Sequence, residues 1–257
     1  MEYIYGDCLE EMPKIKSQSV DMVLADPPYG TTACKWDSVI SLELMWKELK
    51  RIIKPGGTIA MTASQPFTTS LICSNIKMFK YCWVWEKNRA TNFPNAKRRP
   101  LTAHEDIVIF MEGKLKYFPQ KTKGHIPTNS AKRASQGTIY HGDNIRNYEG
   151  GETERFPRTV IKFNCERGFH PTQKPVALME YLIKTYTNEN ETVLDFTCGS
   201  GTTGVACRNT NRHCILIDNG ECEKTGHYFG MKWVDIAKNR IEQKQPITKR
   251  RKKRRRI

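Results

Sequence analysis

The stretch "TVLDFTCGSGTTGVA", residues 192–206, decides the fold class. It reads as a short strand ending at Asp195, a tight glycine turn, and a helix that begins at Thr202. Gly199, Gly201 and Gly204 satisfy the spacing G-x-G-x-x-G. Glycines let the backbone turn sharply and approach a ligand with no Cβ in the way. The next apolar run, "CILID", ends at Asp218, 19 residues after Gly199. An acid at that spacing can hydrogen-bond ribose hydroxyls, and Glu221 is a second candidate for the role.

Working outward, strands and helices alternate on both sides of this loop. "SVDMVLAD" (19–26) reads as a buried strand ending at an acid. "SLELMWKELKRIIKPGG" reads as a helix capped by Ser41, with Leu42, Met45, Trp46, Leu49, Ile52 and Ile53 on one face and Pro55, Gly56 and Gly57 as its stop. "TIAMTA", "YCWVWEK" and "HEDIVIF" (104–110) read as strands and "FTTSLICSNIKMF" as a helix. After residue 157 come the strand "TVIKF", the helix "VALMEYLIKTY" and the last helix "WVDIAKNRI". This alternation predicts an α/β protein: a Rossmann-like, mostly parallel, doubly wound sheet. Residues 112–157 break the pattern, with no lasting period, and such a long irregular stretch in a compact domain is functional or mobile. The expected organisation is residues 1–87 as one half of the domain, 88–157 as an irregular insertion whose strand 104–110 joins the main sheet, 158–245 as the half carrying the glycine loop, and 246–257 as a basic tail.

Charge narrows the partner. The 257 residues hold 42 Lys and Arg against 27 Asp and Glu, a net +15. The tail "KRRKKRRR" (249–256) supplies eight of those charges, so 15 less 8 leaves the body at +7. A body that is basic without its tail points to a polyanionic partner. The tail itself admits three readings: salt-dependent DNA affinity, a nuclear address, or an incidental end. No apolar run approaches the roughly 18 residues that span a bilayer, and "MEYIYGDCLEEM" lacks the basic start and apolar core of a signal peptide. Nine cysteines without a CxxC pair fit reduced thiols in a cytoplasmic setting. No His/Cys cluster has metal-ligand spacing, so no metal is implied.

The glycine loop fits two cofactor classes, dinucleotides and S-adenosylmethionine, and the stretch "VLADPPYG" (23–30) chooses between them. Each proline locks φ and restricts the residue before it, so Pro27 and Pro28 hold Asp26 and the Pro27 carbonyl in one geometry. An exocyclic amine on a base attacks poorly because its lone pair is delocalised into the ring. A carboxylate accepting one N–H and a carbonyl accepting the other make the amine more nucleophilic. Tyr29 beside them offers a stacking face to a base outside its duplex.

"DPPYG" with "DFTCGSGTT" and "HPTQKP" (170–175) resembles the amino-methyltransferases of DNA, in the group whose catalytic motif precedes the cofactor motif. The likeness runs from Met1 to about Ile241. It implies S-adenosylmethionine as cofactor, direct methyl transfer to a flipped base, and double-stranded DNA as partner. On this resemblance Asp7 would contact the cofactor's adenine, Lys174 would lie near its methionine end, and Asp195, Phe196, Gly199, Gly201, Thr202 and Asp218 would line the cofactor loop. One departure stands out: the family's usual phenylalanine two residues before the first glycine is Thr197 here, with Phe196 one place earlier.

The resemblance also implies the base: among amino-methylating relatives, an acid before PPY suggests adenine N6, where serine would suggest cytosine N4. No Pro-Cys pair is present for covalent attack at cytosine carbon 5. The 88–157 insertion is expected to recognise the target, with Arg89, Lys97, Arg98 and Arg99 in "NRATNFPNAKRRP" (88–100) as the DNA contacts. The expected activity is therefore site-specific adenine-N6 methylation of DNA. Rivals are cytosine N4 or RNA as substrate, a nicotinamide-dependent oxidoreductase using the glycine loop, and a basic binding module without turnover. A homodimer and a paired restriction endonuclease are open, as is a nuclear location in a nucleated host.

Overall fold

The computed structural model describes residues 1–32, 34, 37–114, 116–134, 145–148, 150–166, 168–169, 172–223 and 228–242. Its strands are β1 (Glu2–Tyr5), β2 (Val20–Ala25), β3 (Ile53–Ala63), β4 (Phe79–Thr91), β5 (Thr102–Phe110), β6 (Ala131–Ala134), β7 (Ile145–Tyr148), β8 (Val160–Phe163), β9 (Thr192–Asp195) and β10 (His213–Asp218). Its helices are α1 (Cys8–Glu11), α2 (Leu42–Ile52), α3 (Phe67–Ser74), α4 (Val176–Tyr186), α5 (Thr202–Asn209) and α6 (Trp233–Glu242). Eight strands form one sheet in the order β1-β10-β9-β2-β3-β5-β4-β8, and β6 and β7 form a separate antiparallel ribbon.

The sheet is buried on both faces because its central strands alternate between two cores. Val23 and Ala25 of β2 face one core with Met45, Leu49 and Ile52 of α2. Met22 and Leu24 of the same strand face the other, with Leu178, Leu182 and Ile183 of α4. Period-two side chains that are apolar on both faces are what a covered parallel strand requires. Each such Val, Leu, Ile or Met side chain, fully buried, contributes about 1.5–3 kcal/mol.

Three features differ from the sequence reading. First, β5 runs antiparallel to both β3 and β4, so the parallel order is interrupted on that side. A long β4–β5 hairpin needs no crossover helix, which is why none separates "YCWVWEK" from "HEDIVIF". Second, β4 continues to Thr91, so the expected boundary after residue 87 falls inside a strand. Third, Pro55, Gly56 and Gly57 lie within β3 rather than beyond a helix stop: α2 already ends at Ile52, and the β2–β3 register shifts between Val20 and Met22 to accommodate them. Ser41 precedes α2 without a capping hydrogen bond from its side chain. The tail 246–257 and His170 and Pro171 of "HPTQKP" lie outside the described residues.

β9 and β2 are parallel neighbours, with Met22 opposite Val193 and Val23 opposite Leu194. From β2 the chain moves on to β3 at one side; from β9 it moves on to β10 at the other. That divergence opens a crevice at the carboxyl ends of the two strands, where open α/β sheets take their ligands.

Candidate active site

Asp26 follows directly on β2, at the mouth of this crevice. Its Oδ1 accepts hydrogen bonds from Tyr29 Oη at 2.7 Å and from the Thr62 hydroxyl, and its Oδ2 accepts from Lys174 Nζ at 2.6 Å. The Tyr29 ring stacks on Phe67, centroids 5.4 Å apart and planes inclined by 21°. Burial, and then the Asp26 charge, push the Tyr29 hydroxyl well above its usual pKa, so it donates to Asp26 at any ordinary pH. The acid and the ring therefore form one bonded unit, with Phe67 backing the aromatic side.

Sequence reasoning missed the residue that holds this corner. Asp37 is 7% exposed. Its Oδ1 accepts from the backbone N–H groups of Tyr29 (2.7 Å) and Gly30 (2.9 Å). Its Oδ2 accepts from those of Thr31 (2.9 Å) and Thr32 (2.7 Å). Four successive amides converge on one carboxylate, which fixes the backbone just after the two prolines. Burial alone would raise the Asp37 pKa; hydrogen bonds from Thr32, Gly30 and Tyr29 outweigh it and hold the carboxyl below its ordinary 3.8. A lone acid eleven residues after Asp26 carries no periodic signal, so only the folded loop reveals it.

The glycine turn lines the other side of the crevice. Gly199 has φ +47°, and a Cβ there would meet nothing within 4 Å, so open space adjoins this backbone. Gly201 is glycine for a different reason: a Cβ would lie 2.5 Å from that of Ala237 in α6. Arg240 of α6 fastens the turn, donating to the Ser200 carbonyl at 3.1 Å and to Thr202 Oγ1 at 3.1 Å. Asp218 anchors the same turn, with Oδ2 accepting from Gly199 N–H and Oδ1 from Gly220 N–H, both at 2.8 Å. Asp7 caps α1 through Leu9 N–H at 2.8 Å and accepts from Asn219 Nδ2 at 3.3 Å, so it stands beside the Asp218 loop. Glu221 pairs its backbone with Lys232. Asp195 is 4% exposed, and burial, which outweighs hydrogen bonds from Thr203 and Thr197, raises its pKa to about 7.

Two of the residues expected around the cofactor are held by contacts within the protein. Phe196 is 1% exposed and packs in the core with Val23, Leu194 and Ile217, so its ring does not line the crevice. Strand alternation turns Phe196 to the side opposite Asp195. Lys174, expected beside the cofactor, has its ammonium on Asp26 and 3.4 Å from Glu105 Oε2.

The four predicted DNA contacts, Arg89, Lys97, Arg98 and Arg99, are all exposed on the outer part of the β4–β5 hairpin. Phe93, at the turn among them, is 78% exposed. Arg99 and Glu105 border one cavity of about 200 Å³ with Gln65, His104 and Asp106, so the root of the basic hairpin adjoins the Asp26 site.

Comparison with known proteins agrees with this geometry. A family model described as DNA methylase matches residues 20–226. The chain is 28% identical over 268 residues to the DNA adenine methyltransferase YhdJ of Escherichia coli (strain K12), covering 97% of this chain and 87% of that protein. It is 25% identical over 252 residues to the type II methyltransferase M.HpaI of Haemophilus parainfluenzae, covering 93% and 73%. Among solved structures, the M1.HpyAVI–SAM complex superposes with a TM-score of 0.60 at 26% identity, covering 93% of this chain and all of that one.

Proposed function

Because this chain belongs to the DNA methylase family, whose model matches most of its length, we propose that it methylates the N6 amine of adenine in double-stranded DNA, with S-adenosylmethionine as cofactor. The observation that carries this reading is the pairing of β2 with β9, which sets the Asp26 corner beside the glycine turn. S-adenosylmethionine supplies an activated methyl group on a sulfonium. The residues fit such a cofactor: Gly199 adjoins open space, Asp195 and Asp218 flank the turn, and Asp7 stands beside the Asp218 loop.

In this reading the chain orients and activates the amine. A flipped adenine presents its two N–H bonds to Asp26 and to the Pro27 carbonyl. Both acceptors are held before the base arrives, so little reorganisation is needed as charge builds on the amine nitrogen. Arg89, Lys97, Arg98 and Arg99 contact phosphates and set the register of the duplex. A cytoplasmic location, a second copy of the chain and a paired restriction endonuclease belong to the same proposal.

Nucleoside analysis of a duplex incubated with the protein and labelled cofactor tests it. Label is expected in N6-methyladenine. Label only in N4-methylcytosine, or binding of NAD with none of S-adenosylmethionine, would overturn the reading.

Cofactor affinity should also depend on pH. Free Asp195 titrates at about 7. A cation beside it favours the ionised form, so binding expels a proton at lower pH. The dissociation constant is expected to fall about tenfold from about pH 6 to about pH 8. Calorimetry in buffers of different ionisation enthalpy should register proton release. The sign for stability is opposite: a buried acid raised from 3.8 to about 7 stabilises the cofactor-free fold at low pH, and that contribution is lost as pH rises through about 7. An affinity flat across this range would refute the assignment.

A further inference from the structure

Four charged side chains form a chain behind the DPPY corner. Lys174 Nζ lies 2.6 Å from Asp26 Oδ2 and 3.4 Å from Glu105 Oε2. Lys87 Nζ lies 2.5 Å from Glu105 Oε1. The side chains of Lys174, Lys87 and Glu105 are only 6%, 7% and 14% exposed. Burial favours discharging Lys174, but the Asp26 and Glu105 carboxylates outweigh it and keep the ammonium charged. The arrangement is asymmetric. Among the described residues, Glu105 Oε2 is buried and receives no well-aligned hydrogen bond; its cation stands 3.4 Å away, farther than the 2.6 Å that separates the same ammonium from Asp26. A buried carboxylate oxygen whose donor is long and poorly aligned is costly to keep.

We propose that Glu105 Oε2 is a second seat for the Lys174 ammonium, taken when the target amine arrives at Asp26. The proposal rests on the methyltransferase reading and adds a regulated contact to its site. Lys174 places a cation where that reading needs an N–H of the base, on the oxygen of Asp26 not already shared by Tyr29 and Thr62. A full positive charge on this carboxylate weakens it as an acceptor for a neutral amine. It also opposes the positive charge that grows on the amine nitrogen as the methyl group arrives. A move of the ammonium to Glu105 removes both penalties. It closes the 3.4 Å gap to Glu105 Oε2 to hydrogen-bond distance and lengthens the 2.6 Å contact with Asp26 beyond it, a swing of about 1 Å at the ammonium, and the charge stays paired throughout. Glu105 never touches the base: it is a positioning residue that acts through Lys174, and Lys87 keeps its other oxygen oriented.

The test pairs kinetics with structure, in protein first shown to form N6-methyladenine, so that failure of the general reading registers separately. Glu105→Gln should lower kcat on the order of tenfold, within the range of coupling between contacting charged side chains, with cofactor affinity unchanged. In a Lys174→Met background there is no ammonium to reseat, so the same Glu105→Gln change should cost nothing further. An equal loss in both backgrounds, or no loss in either, overturns the proposal. Should Glu105→Gln fail to fold, the wild-type protein crystallised with duplex and a non-reactive cofactor analogue decides. Lys174 Nζ is expected within about 3 Å of Glu105 Oε2 and released from Asp26. An ammonium still bonded to Asp26 with the base amine in place refutes it.

Discussion

Asp26→Asn is expected to lower kcat by about 10³-fold, roughly 4 kcal/mol of transition-state stabilisation, while leaving cofactor affinity within a fewfold of wild type. The asparagine keeps the shape of the corner but replaces one carboxylate oxygen with a donor. Three donors converge on this carboxylate from Tyr29, Thr62 and Lys174. An amide there leaves the Lys174 ammonium with Glu105 as its sole anionic partner among the described residues. It also presents an N–H to an amine that needs an acceptor. Asparagine is the better probe than alanine, because alanine removes packing as well as charge and would mix a folding defect into the kinetics. Single-turnover methylation of a duplex, read beside calorimetric binding of S-adenosylmethionine, separates the two effects. Turnover within a fewfold of wild type would show that Asp26 does not hold the amine.

The second large effect belongs to Asp37. Asp37→Ala is expected to destabilise the protein by roughly 3 kcal/mol or more, because four backbone N–H groups lose a charged acceptor together. For a chain of this size that corresponds to a fall in Tm of about 6–12 °C. Turnover should fall by about 10²-fold as well, since an unfastened loop no longer holds the residues after Asp26 within the tolerance that orientation demands. Asp37→Asn should behave almost as badly: its amide nitrogen would face two of the four N–H donors. The pH dependence has a definite sign. The folded pKa lies below the ordinary 3.8, so this stabilisation is present above about pH 4 and is lost as pH falls through the folded value. Thermal unfolding from about pH 3 to about pH 7 measures it. An Asp37→Ala protein with unchanged Tm and turnover would remove the loop from the mechanism.

Both residues touch the DPPY corner, yet only one was visible in the sequence. Asp26 stands out because two prolines and a tyrosine follow a buried strand, and local backbone chemistry is enough to mark it. Asp37 sits in the mixed stretch "TTACKWDSVIS" (31–41), with no proline or glycine pattern to mark it; its role exists only when residues 29–32 curl around it. Lys174 shows the same limit more sharply. Its partner Asp26 is 148 residues away, and no window of sequence contains both. Phe196 shows the converse: an aromatic beside a glycine loop invites a cofactor role, whereas the alternation of β9 turns its ring into the core.

The sequence by itself determined the α/β class, the position of the glycine turn and the acid-tipped corner, because those depend on side-chain period, on the φ angles that proline and glycine permit, and on burial of apolar runs. The tertiary structure alone decided that β2 and β9 are neighbours, that β5 reverses direction between β3 and β4, and that Lys174, Glu105 and Lys87 line up behind Asp26. Strand order and buried ion pairing are set by which distant segments exclude water together, and that is a property of the assembled sheet rather than of any stretch of chain.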